Sequence, residues 1–113
     1  MTQVKDMTDQ QLNQALAELM GYTVDKHRPG RVLKGNISSM PTDYCNDPAA
    51  SQEVQAKAIE VDPKGYVKNL CFIKWGEKQQ MGGIGLNYLA ISRVLNASPR
   101  ERAEAAYITL SSK

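Results

Sequence analysis

Apolar residues recur at helical spacing in three stretches of the chain. Leu12, Ala15, Leu16 and Leu19 share one face at intervals of three and four. Ala50, Val54, Ala58 and Val61 form a second stripe, and Ala103, Ala106, Tyr107 and Leu110 a third. Each stripe is preceded by a start signal. Thr8 stands three residues before Gln11, the spacing of a capping box. The second helix begins at Asn46 or Asp47 and carries Pro48 in its first turn. The closing helix has Ser98 as cap, Pro99 at the first helical position and Glu101 to complete the box. Gly21 ends the first helix, and Asp62-Pro63-Lys64-Gly65 is expected to end the second.

The remaining segments lack that period. Tyr66 to Trp75 holds Leu70, Cys71, Phe72 and Ile73 in succession. The run predicts a strand covered on both faces, or a buried helical turn followed by a strand. Gly76 to Gly85 reads as a polar hairpin loop, and Leu86 to Leu95 as a strand through its first part. Residues 22–43 form a long irregular segment around the turn signal His27-Arg28-Pro29-Gly30-Arg31, with an edge strand expected near Arg31 to Leu33. Met1 to Met7 are expected to be frayed. The order predicts one α+β domain over residues 1–113. A small antiparallel sheet of two to four strands packs with about three helices as an α-β-α sandwich. A sheet this small is completed by the long segment or by a second copy of the chain, so a homo-oligomer is expected.

Length and composition limit what that domain does. The chain has 113 residues, 42% of them hydrophobic, which suffices for one modest core. One Trp and one Phe leave that core to aliphatic side chains and alanine. A net charge of +2 argues against an acidic nucleic-acid mimic and against a histone-like polycation. No apolar run near Met1 resembles a secretion signal and none is long enough to span a membrane, so the expected location is the cytoplasm, with reduced thiols.

Two segments carry a family resemblance. Tyr44-Cys45-Asn46-Asp47-Pro48-Ala49-Ala50 resembles the middle signature of small phage and prophage accessory proteins with an α-β-α sandwich domain. Ala97-Ser98-Pro99-Arg100-Glu101-Arg102-Ala103-Glu104-Ala105-Ala106 is similar to that family's closing helix, and Met7-Thr8-Asp9-Gln10-Gln11-Leu12 fits its first. The match covers the helical punctuation and is weak over residues 22–43 and 76–87. The resemblance implies a phage origin, residence in the host cytoplasm and no catalytic residues. It also implies a task in counter-defence.

Chemistry-bearing residues are few. A single His and two distant Cys give no spaced metal-ligand set, and no acid/base pair stands out, so neither metal, cofactor nor enzymatic activity is expected. Gly82, Gly83 and Gly85 lack the spacing of a dinucleotide fingerprint. Anion binding is the chemistry the residues favour. Lys26, Arg28, Arg31 and Lys34 surround Pro29-Gly30 with no acid among them. Arg100 and Arg102 lie in the first turn of the closing helix beside its cap Ser98, where amide groups attract anions. Trp75 and Tyr88 are the aromatics nearest the glycine loop and could stack on a base. These residues predict a non-enzymatic binder of a small anionic, nucleotide-like ligand, sequestering an immune signal. The alternatives are an inhibitor docked directly on a host defence protein, and, less favoured, a nucleic-acid-binding accessory protein.

Overall fold

Thr8 starts the first helix as its spacing implies. In the computed structural model, which describes residues 4–28, 30–75 and 95–112 (Lys74 and Trp75 by backbone alone), helix α1 spans Asp9–Leu19. The Gln11 amide donates to Thr8 Oγ1 at 3.1 Å, and the Thr8 amide donates to Gln11 Oε1 at 2.9 Å. Leu12 and Leu16 are buried on one face. The chain leaves through Gly21, whose φ of 103° is open to glycine at little cost.

The segment expected to be irregular builds the sheet. Strands β1 (Thr23–Val24), β2 (Val32–Lys34) and β3 (Ile37–Ser39) pair antiparallel in the order β1-β2-β3. Leu33 faces Thr23 on one side and Ser38 on the other. The β2–β3 turn is two residues, Gly35 and Asn36, with positive φ at Gly35 alone. That is the type II′ pattern, whose twist matches a hairpin. β2 begins and ends one residue later than the strand expected at 31–33, and it is the central strand, paired on both sides, not the edge.

Helix α2 (Pro48–Val61) is capped by Asp47, whose Oδ1 accepts from the Ala49 amide at 3.0 Å. The dense apolar run that follows is a correction to the strand reading: residues Pro63–Trp75 form helix α3 throughout. Asp62 both ends α2 and opens α3. Its Oδ1 accepts from the Gly65 amide at 3.1 Å, with Pro63 at the first helical position. Tyr66, Leu70 and Ile73 then lie on one buried face. Phe72 points to solvent and Cys71 is buried beside that face. The hairpin expected at 76–85 and the strand expected at 86–94 lie outside the described residues.

Helix α4 (Pro99–Ser111) is the element around which α1, α2 and α3 pack. Its alanines at 103, 105 and 106 are fully buried. Small side chains on several sides let the neighbouring helices approach closely. Asn69 Nδ2 donates to Thr109 Oγ1 at 2.9 Å and joins α3 to α4. The fold is α+β, with four α-helices and a three-stranded antiparallel sheet among the described residues. The sheet meets α1 through β1 and gives only Val32 to the buried core. Its place is therefore beside the helices, not as the middle layer of the expected sandwich. No described helix is long and apolar enough to cross a membrane.

Candidate functional site

Asn13 is a polar residue on the buried face of α1, and it organises the surface above it. Its Oδ1 accepts from the Cys45 amide at 3.1 Å and its Nδ2 donates to Asp43 Oδ1 at 3.1 Å. Both functions of a buried amide are thereby satisfied. Asn46 Nδ2 then bridges two carboxylates, donating to Asp43 Oδ1 at 3.1 Å and to Asp9 Oδ2 at 3.2 Å. The Tyr44-to-Asp47 motif is thus used for architecture. Tyr44 enters the core, Cys45 and Asn46 tie the entry to α1, and Asp47 caps α2.

Above these ties lies a surface groove of about 390 Å³. It is lined by the polar residues Asp9, Gln10, Asn13, Asp43 and Asn46 and by the apolar Met40 and Pro41. The two acids differ. Asp9 is paired with Arg100 at 2.7 Å. Asp43 faces only amides among the described residues. Met40 is 53% exposed, and Ile37 at the start of β3 is 71% exposed. The groove therefore offers an uncompensated carboxylate beside bare apolar surface.

The residues expected to bind an anion are placed as follows. All five N–H donors of Arg100 are engaged. Nε donates to Glu104 Oε2 at 2.8 Å and Nη1 to Asp9 Oδ1 at 2.7 Å, with Cys45 Sγ at 3.8 Å. Nη2 donates to the carbonyls of Met7 at 2.7 Å and Val4 at 3.1 Å. The segment expected to be frayed is held by those last bonds, and Val4–Asp6 forms a 3-10 turn. Burial works against the charge of Arg100, yet the hydrogen bond and charge of Glu104 together with the nearby Cys45 outweigh it and raise its pKa. Ser98 accepts from the Glu101 amide at 3.1 Å, so its hydroxyl acts as the cap. Arg102 Nη1 turns to Ser51 Oγ at 3.3 Å, against α2.

Arg31 is spent inside the sheet. Its Nε donates to Ser38 Oγ at 3.0 Å and its Nη2 to the Ser38 carbonyl at 2.8 Å. Ser38 Oγ donates to Asp25 Oδ2 at 2.5 Å, and the His27 amide donates to Asp25 Oδ1 at 3.0 Å. The basic segment is thus not without an acid, because Asp25 sits at its base. Lys34 donates to Thr42 Oγ1 at 3.3 Å and lies 5.6 Å from the Tyr22 ring centre. Lys26 and Arg28 keep exposed side chains without a hydrogen bond or ion pair among the described residues. Trp75 closes α3, and Tyr88 lies outside the described residues, so the stacking pair falls outside the described side chains. Arg100 and Ser98 share the first turn of α4, while Arg28 and Arg31 stand at the sheet.

The thiol of Cys45 is pushed up to about 11, chiefly by burial, with Arg100 opposing. It therefore remains protonated at neutral pH. Among the described residues, no group of three or more His, Cys, Asp or Glu side chains is placed to hold a metal ion. The sequence reading missed Asp9, Asn13, Met40, Asp43 and Asn46. The available signal was Asn13, a polar residue next to Leu12 on a core-facing stripe. Comparison with protein-family models, with curated proteins and with solved structures found no match.

Proposed function

We propose that this chain is a non-enzymatic docking protein that seats a basic, apolar-flanked segment of a protein partner in the groove between α1 and the segment after β3. The observation that carries this reading is the Asp43 carboxylate, faced only by amides among the described residues and set beside exposed Met40. A lysine or arginine of the partner would supply the missing positive charge, and its apolar neighbours would cover Met40 and Pro41. The resemblance to small phage proteins supports a host defence protein as that partner. The test is fluorescence anisotropy with labelled peptides of matched length, basic-apolar or acidic-apolar. Basic peptides should bind wild type and lose at least about tenfold in affinity to Asp43→Lys. Equal binding by the variant, or preference for acidic peptides, overturns the reading.

Sequestration of an anionic nucleotide is supported by a different feature, the exposed pair Lys26 and Arg28. Calorimetric titration with cyclic nucleotides and ADP-ribose derivatives tests it. Heat with wild type that vanishes in K26E/R28E supports that reading, and no heat with any of them argues against it.

A further inference from the structure

We infer that the occupant of the groove is the basic β1–β2 loop of a second copy of this chain, forming a two-fold dimer. The inference rests on the docking reading and names a second copy of the chain as what fills the groove when no host partner is bound. The same surface carries both halves of a contact. Asp43 is a carboxylate without a facing cation, and Lys26 and Arg28 are exposed cations that form no ion pair among the described residues, Arg28 feeling only the more distant charge of Asp25. The loop does not fill its own groove. The Asp25 amide donates to the Arg31 carbonyl at 3.0 Å and the Arg31 amide to the Arg28 carbonyl at 3.2 Å. The Arg31–Ser38–Asp25 chain locks the loop base further. The loop is therefore held in its own sheet, with the Lys26 and Arg28 side chains exposed.

Position supplies the second argument. A Cβ at Gly30 would lie 3.2 Å from Gln10 Nε2, and Gln10 lines the groove. Loop and groove thus adjoin within one copy. An isologous interface requires self-complementary patches that lie together, so that each contact is made twice about one axis. Rotating a second copy about an axis between loop and groove sets each loop into the other's groove.

The experiment is size-exclusion chromatography with light scattering at about 0.1 mM protein, a concentration that populates micromolar complexes. Wild type is expected to run as a dimer at low salt and to dissociate as salt screens the pairs. K26E/R28E and Asp43→Lys should each run as monomers. An equimolar mixture of the two should restore a dimer, because each reversed loop then meets a reversed groove. Asp43→Asn, which keeps the side-chain shape, should weaken self-association at least about tenfold and covers the case in which Asp43→Lys does not fold. Wild type that stays monomeric overturns the inference. A dimer indifferent to all these changes places the contact elsewhere and also overturns it. The peptide titration is read on its own, so a monomer that binds basic peptides through Asp43 leaves the docking reading standing while the dimer falls.

Discussion

Arg100 shows how a residue's neighbours decide its role. Its position in a helix's first turn, unfavourable for a cation, suggested a ligand. The structure instead gives its guanidinium five acceptors from three parts of the chain. Arg100→Ala should therefore destabilise the protein by roughly 2 kcal/mol, since it leaves the largely buried Glu104 without its partner. Arg100→Lys should recover only part of that, because an ammonium lacks the fork geometry. Thermal melts of both variants check the order. No sequence signal announced this, because Val4, Met7 and Asp9 reach Arg100 only after the chain has closed on itself.

Asp25 gives a prediction with a definite sign. The Ser38 hydroxyl, followed by the His27 amide, holds its carboxyl below the ordinary 3.8. A carboxylate with a lowered folded value adds stability above the unfolded value and loses it as pH falls through the folded one. Wild type should accordingly lose sheet stability below about pH 3.8 more steeply than Asp25→Asn, and a pH series of melts reads the difference. The basic run was legible in the sequence. Its acid was not, because Asp25 precedes the run and Ser38 joins it from another strand.

At the scale of elements, caps were readable and covered faces were not. Thr8, Asp47 and Ser98 act locally, through amides two or three residues away, so their sequence spacing is enough. The same physics could have placed α3, since Asp62-Pro63 starts a helix as well as ending one. The apolar run behind it drew the reading toward a strand, because a short run buried on two sides has no clear period. Asp62→Ala should cost about 1 kcal/mol through loss of the α3 cap. A chemical melt followed by far-ultraviolet circular dichroism measures it. An unchanged midpoint would count against the Asp62 cap. Strands β1 and β3 escaped notice for a related reason: each is only two or three residues long, too short to show alternation.

Across the whole molecule, the last helix completes the core. Helix α4 packs on α1, α2 and α3, and its Arg100 reaches the carbonyls of Val4 and Met7 near the other end of the chain. A chain ending at Ala97 should show no cooperative thermal transition, because α1, α2 and α3 would each lose their main partner. Calorimetry on that truncation decides it. The groove belongs to this scale as well. Its walls come from residues 9–13 and 40–46, brought together by folding, and so linear inspection did not assemble them. The alanines of α4 also limit how the protein changes over generations. A larger group at 103, 105 or 106 has nowhere to go except by wedging apart neighbours already in contact. Variation there is confined to side chains no bigger than serine, and gains in robustness must come from the periphery.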